Sequence, residues 1–361
     1  MRALIVSGRY ALTNTLLLAM IAALAYGGWP IWVVVAAAIL IGGAVDEAVG
    51  DQHEGGSDRG KLFLEANLYA TLPLLMIVSY LLLDLVASGR RLGVVTATMG
   101  AGYFYALAGA TVAHELVHRA TRPLAILSAR ALLAFTLNPT FESYHVHGHH
   151  RNVGTYDDPA TARRGEYVLA FVARTLLQQS IVGWRLEAER LHRAELGVWS
   201  WRNRVLAGSL CLLALLAAAA WIAGGIGMAV FLAAAVFGRI VHEMINYVQH
   251  YGLVRADGAP IETRHAWDSC SLMSNALLYN LPHHADHHVA GSRPFWQLAA
   301  AADSPKLPHG YQIMLAIALA PSRWRKVTDP LLADWDVRLA DESERAVVRK
   351  RGWTMPERPD A

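Results

Sequence analysis

Cysteine is almost absent. The 361 residues contain two, Cys211 and Cys270. That excludes a disulfide scaffold, a cysteine-based zinc site and any built-in iron–sulfur or rubredoxin module. Charge is also scarce. Only 17% of the residues are Asp, Glu, Lys or Arg, against about a quarter in a soluble domain. An ordinary cytosolic enzyme, a disordered chain and a coiled coil are thereby excluded. The formal net charge of +3 is too mild for a nucleic-acid footprint. The sequence has no internal repeat, no low-complexity linker and no flavin motif. What it has in quantity is apolar residues, 54% with a mean hydropathy of +0.28, and histidine, sixteen in all.

The apolar residues fall into six stretches: Leu12–Tyr26, Ile31–Val45, Leu68–Val86, Leu92–Ala113, Val205–Gly224 and Ile226–Val241. Each has about the length needed to cross a bilayer, and Trp29, Trp32, Tyr80 and Trp221 fit interface anchors. Arg2 and Arg9 before an apolar run resemble a signal peptide, but a second apolar stretch follows Trp29-Pro30, which favours an uncleaved first span. The expected fold class is therefore an all-α integral membrane protein with about six transmembrane helices. Residues 114–204 carry twelve arginines, which places them and the C-terminal tail in the cytoplasm. Arg90 and Arg91 break that rule locally and are outvoted. We expect one domain, 1–361, with spans at about 12–113 and 205–241 and a histidine-rich cytoplasmic cap at about 114–204 and 242–361. Within the cap, residues 165–195 read as an amphipathic helix at the interface. The run Ile313–Ala320 is too short to span, and Asp341–Lys350 reads as a surface helix.

Histidine comes in four groups. His114 and His118 are four apart, on one face of a helix. His145 and His149 repeat that spacing, with His150 adjacent. His284, His287 and His288 share a face, and Pro282 opens their helix. His250 stands alone at the end of the sixth span. Spans four and six both run inward and deliver His114 and His250 to nearly equal depth, so four segments converge at the cytoplasmic edge of the hydrocarbon. Imidazole suits iron, zinc, copper and nickel. Nine histidines are too many for one ion and enough for two. A histidine-rich pair of redox metals beside a membrane points to oxygen chemistry on an apolar substrate, because attack on an unactivated C–H bond needs an oxidant that side chains do not provide. The non-enzymatic alternative, a metal transporter, needs its ligands near the midplane.

These clusters resemble those of the membrane di-iron hydroxylases and desaturases. The stretch Asn246-Tyr-Val-Gln-His-Tyr-Gly-Leu253 is more selective. It resembles the signature of the alkane 1-monooxygenases and the xylene side-chain monooxygenases, a branch of the membrane fatty-acid desaturase-hydroxylase superfamily. Arg264-His-Ala-Trp-Asp-Ser269, Leu277-Leu-Tyr279 and Asp157-Asp-Pro-Ala160 match the same branch. The resemblance covers about residues 60–335. Tyr144 and Gln249 stand where alkane enzymes usually have Glu, and Arg119 where they often have Lys. These residues and the short linker from Gly252 to Trp267 lean toward the xylene type. Leu281-Pro-His-His-Ala-Asp-His-His288 and Leu307-Pro-His-Gly-Tyr311 lean toward the alkane type.

The resemblance implies a membrane di-iron monooxygenase that uses O2 to convert the terminal methyl of an apolar substrate to a primary alcohol. The alternatives are an alkyl-aromatic methyl hydroxylase and, less favoured, a fatty-acid desaturase. The implied ligands of two iron ions are His114, His118, His145, His149, His150, His250, His284, His287 and His288. Carboxylates behind them, Glu115, Asp158, Asp268 and Asp286, are candidates to fix the histidine tautomers. His265 joins them as a supporting or substrate-side residue. His147 and His283 fall where the family needs no ligand, His242 reads as packing, and His53, His192 and His309 read as surface residues. Electrons are expected from a separate rubredoxin or ferredoxin-type carrier and its reductase, docked on the arginine-rich face. The expected location is a bacterial-type inner membrane, with the active site on the cytoplasmic side. Small residues in Met99–Ala110 leave two readings open, a substrate channel and close helix packing.

Overall fold

The computed structural model describes residues 7–90 and 93–355. Arg2, Arg91 and Leu92, used above, lie outside them. Helices α1 (Arg9–Tyr26) and α2 (Trp29–Val49) are joined by Gly27 and Gly28, both at positive φ, and Pro30 opens α2. Helix α3 (Lys61–Ala87) packs on α1. Helix α4 (Val94–Phe104) runs through a π-turn (Tyr105–Ala110) into α5 (Thr111–Val117), and α6 (Pro123–Ala134) packs back on α5. A second π-turn, His145–His149, separates α7 (Phe141–Tyr144) from α8 (His150–Asn152). Then come α9 (Val168–Arg193) and the long α10 (Arg204–His250). The C-terminal part holds α11 (Leu272–Leu277), α12 (His284–Val289), α13 (Tyr311–Ala318), α14 (Pro321–Arg338) and α15 (Glu342–Lys350). The described residues contain no strand, only isolated bridges.

Four of these helices, α1, α2, α3 and α10, are long and apolar enough to cross a membrane. Helix α10 is not one straight rod. Its backbone breaks at Ala223 and Gly224, the latter at φ 63°. A Cβ placed on Gly227 would sit 2.7 Å from the carbonyl oxygen of Ala219. Eight residues of straight helix separate such positions by about 12 Å, so the chain folds back on itself here. Its first arm starts beside Pro139 at Gly208, and its second ends at His250.

Close packing accounts for the small residues of α4. A side chain on Gly102 would collide with the Ala234 carbonyl of α10, and Gly238 returns the contact against the Gly102 carbonyl. The two backbones approach where neither residue has a Cβ, which presses α4 against the arm that carries His250. Polar residues fix the other side. Asn14 Nδ2 donates to the Asn67 carbonyl oxygen at 2.7 Å, and Asn67 Nδ2 donates to the Tyr279 hydroxyl at 3.1 Å. Thr13 Oγ1 donates to the Leu277 carbonyl at 2.7 Å. The last two bonds tie residues 277–279 to α1 and α3.

The 165–195 stretch forms α9, with Phe171 and Val172 buried and Leu169, Leu177 and Ile181 exposed. The tail helix is a surface helix with one packed face. Asp341 caps α15 through the Glu344 N–H; Glu344, Arg345 and Val348 are buried, and Glu342, Ser343, Ala346, Arg349 and Lys350 are exposed.

Candidate metal centre

The nine histidines of the four groups meet at one place and divide into two cages. The ring nitrogens of His114, His118, His145 and His287 lie within 4.8 Å of one another, as do those of His149, His250, His284 and His288. His150 joins the first cage, with Nε2 3.1 Å from the Nε2 atoms of both His145 and His287. His118 and His145 approach to 3.1 Å in that cage. In the second, His284 lies 3.1 Å from His250 and 3.0 Å from His288. Seven of the nine rings are buried, and His118 and His150 are half-buried.

Local winding decides which ring joins which cage. In α5 the four-residue spacing of His114 and His118 puts both in the first cage, as the pattern predicts. His145 and His149 behave differently. The His150 N–H bonds to the His145 carbonyl, the i to i+5 pattern of a π-turn. That winding brings His150, five residues on, to the same side as His145, and turns His149 into the second cage. The expectation that His145 and His149 share a face is thereby corrected. In α12, His284 and His288 share the second cage and His287 reaches the first.

The residues fit a pair of metal ions. Separations of 3.0–3.1 Å match two nitrogens at adjacent positions around one ion, given metal–nitrogen bonds of about 2.1 Å. His114 Nε2 and His149 Nε2 are buried without any hydrogen-bond partner, a costly arrangement unless a cation fills it. The donors are all nitrogen, which suits iron, zinc, copper or nickel. Burial, reinforced by neighbouring histidines, holds His118 down to about 4 and His150 down to about 2. Both rings are neutral at pH 7, the form that binds metal.

Of the four candidate carboxylates, Asp158 alone hydrogen-bonds a cage ring. Its Oδ2 accepts from His149 Nδ1 at 2.8 Å, leaving the Nε2 lone pair for the cage. The Tyr144 hydroxyl donates to Asp158 Oδ1 at 2.5 Å. Tyr144, noted above only as a departure from a pattern, thus supports the carboxylate. Asp158→Asn is expected to lower metal affinity by about 10–100-fold, measured by competition with a chelator. Unchanged affinity would mean that the carboxylate does not set the His149 tautomer.

The other carboxylates turn elsewhere. Glu115 pairs with Arg119 at 2.8 Å, and Asp286 pairs with Arg293 at 2.5 Å. Asp268 accepts from the Ala285 N–H at 2.8 Å, at the start of α12. His265 gives Nε2 to Glu344 at 2.5 Å and accepts from the Glu262 N–H at Nδ1, so neither nitrogen serves a cage. His242 packs against Phe141 at 5.4 Å. His147 meets Arg204 on the surface, and His309 meets Glu47. Sequence spacing gave no sign of the π-turn or of the Tyr144–Asp158 contact.

The fatty acid desaturase family profile matches residues 91–317. Alkane 1-monooxygenase 1 of Pseudomonas aeruginosa is 39% identical over 227 residues, 62% of this chain and 59% of that protein. The alkane 1-monooxygenase of Acinetobacter baylyi is 36% identical over 222 residues, 60% of this chain and 54% of that protein. The xylene/toluene monooxygenase hydroxylase component XylM of Pseudomonas putida is 28% identical over 339 residues, 91% of both chains. The matched segment thus spans less than two thirds of the alkane relatives.

Proposed function

Because the chain belongs to the fatty acid desaturase family, whose profile covers residues 91–317, we propose that it is a membrane di-iron monooxygenase. It hydroxylates the terminal methyl of an apolar substrate, giving a primary alcohol and water from O2, two electrons and two protons. The observation that carries this reading is the pair of nitrogen-only cages. His114, His118, His145, His150 and His287 hold one iron, and His149, His250, His284 and His288 hold the other. Bound there, the irons supply the oxidising power that a C–H bond demands.

The protein's own part is positioning. Asp158 holds one ligand ring in the binding tautomer. The Gly102–Gly238 contact seats the His250 arm against α4. The apolar helices deliver a hydrocarbon from the bilayer. Recognition of such a substrate rests on shape, so discrimination by chain length is weak.

The proposed topology has six crossings in one domain, with the cages on the cytoplasmic side of a bacterial-type inner membrane. Its support is the reversal of α10 at Gly224 and the continuous run from α4 to α5. Electrons come from an acidic carrier of rubredoxin or ferredoxin type. A cleft of about 310 Å3 reaches the half-buried His118 and is the face we assign to that carrier; Lys61, Arg119, Arg122 and Arg293 line it together with Asp58, Glu65 and Glu115, so its net charge is only slightly positive.

A second reading, methyl hydroxylation of an alkyl-aromatic, is favoured by the 91% coverage against XylM and by Tyr144 and Gln249. Membranes containing the chain, supplied with each type of reductase system and with octane and para-xylene together, separate the two. Mostly 1-octanol is expected for the alkane reading, and mostly 4-methylbenzyl alcohol for the aromatic one. Neither alcohol, with iron bound, would contradict methyl hydroxylation of both.

A further inference from the structure

The C-terminal helices lie beyond the family match, which ends at residue 317. Yet they grip a strap, residues 264–268, that touches both sides of the second cage. Glu344 is 1% exposed and accepts from His265 Nε2 at 2.5 Å and from Arg264 Nε at 3.0 Å. The Glu262 N–H occupies His265 Nδ1 at 2.9 Å, so the ring's proton points at Glu344. Trp335 Nε1 donates to the Arg264 carbonyl at 2.8 Å.

Three residues along, the strap meets the cage supports. The Trp267 backbone N–H donates to the Gln249 carbonyl at 3.0 Å, and its indole N–H donates to the Tyr251 carbonyl at 2.9 Å. These acceptors flank His250. Asp268 then holds the Ala285 N–H, beside His284.

We infer that α14 and α15 form a positioning clamp for the second iron, acting through Glu344, Trp335 and the 264–268 strap; this rests on the di-iron reading above. The effect is selective by geometry. His250, His284 and His288, three of the four histidines of the second cage, sit on segments that the strap holds. The first cage has only His287 on such a segment and takes His114, His118, His145 and His150 from α5 and the π-turn region. Glu344 and Trp335 touch no ligand. They act by holding backbone in place.

The experiment measures release of ferrous iron to a chelator from the purified full-length chain. Wild type, Glu344→Ala, the milder Trp335→Phe and Arg190→Ala are compared. The last breaks the Glu187 ion pair, away from the strap. Glu344→Ala is expected to release one of its two irons about tenfold faster or more, with the other unchanged. Trp335→Phe should show the same order of loss with a smaller change, and it carries the test if Glu344→Ala does not fold. Glu344→Gln, which keeps an oxygen for the His265 proton, should recover most of the retention. Arg190→Ala should release iron as wild type does. Parallel loss of both irons, unchanged release in Glu344→Ala and Trp335→Phe, or selective loss in Arg190→Ala would overturn the clamp. A wild-type chain without two irons would overturn the di-iron reading together with the clamp; two irons in wild type with unaltered variants would overturn the clamp alone.

Discussion

His284→Ala and His149→Ala are each expected to lose iron and to reduce hydroxylation by more than about 100-fold, the upper end of what loss of a mere supporting partner costs. His284 is central to the second cage, 3.1 Å from His250 and 3.0 Å from His288. Its removal leaves three nitrogens around the ion and an opening among buried polar atoms. Among the cage rings, His149 is the one bonded to a candidate carboxylate, so its loss also takes a hydrogen bond from buried Asp158. The neighbouring His283 makes a stringent comparison. It is fully buried next to His284, yet neither of its ring nitrogens has a partner. His283→Gln is expected to keep its iron. Retention of iron in both cage variants would refute the assignment, and loss in all three would attribute the effect to general unfolding.

The second large effect concerns stability. Arg164 and Asp336 form a buried two-bond ion pair at 2.6 and 2.8 Å, and Arg164 Nε also donates to the Gly252 carbonyl at 2.9 Å. Gly252 lies two residues beyond His250, and Asp336 lies on α14. Removing the carboxylate alone leaves a guanidinium in the interior with no counter-charge. Asp336→Ala is therefore expected to destabilise the folded chain by about 3–5 kcal/mol, read as a fall in thermal midpoint in detergent. The double variant Asp336→Leu with Arg164→Met removes both charges and is expected to recover most of that loss. If the single variant unfolds as wild type does, the pair contributes little to stability.

The histidine groups were legible because metal chemistry leaves a dense mark in sequence. His284 and His288, four apart in an ordinary helix, fall in one cage as spacing predicts. His145 and His149 do not, because residue spacing does not reveal whether the backbone winds by i to i+4 or by i to i+5. The carboxylates were harder for a related reason. Proximity in sequence placed Glu115 and Asp286 beside ligands, but each side chain points away, to Arg119 and Arg293. Asp158, nine residues from His149, is the one that reaches a ring. Apolar length marked the long helices, and Gly224 marked the reversal of α10, since a φ of 63° there suits a residue without a Cβ. The small residues of α4 were ambiguous until their partner was known. Gly102 faces Gly238, which is 136 positions away and beyond any local pattern. The packed face of α15 was hidden in the same way, because nothing in its hydrophilic sequence points to the contact between Glu344 and His265.

The central claim is that nine histidines hold two irons. Its most direct test is metal content and iron Mössbauer spectroscopy of the wild-type chain purified in its membrane-embedded form. The account predicts two irons per chain with the spectrum of a nitrogen-rich pair. One iron per chain, or zinc in place of iron, would contradict it.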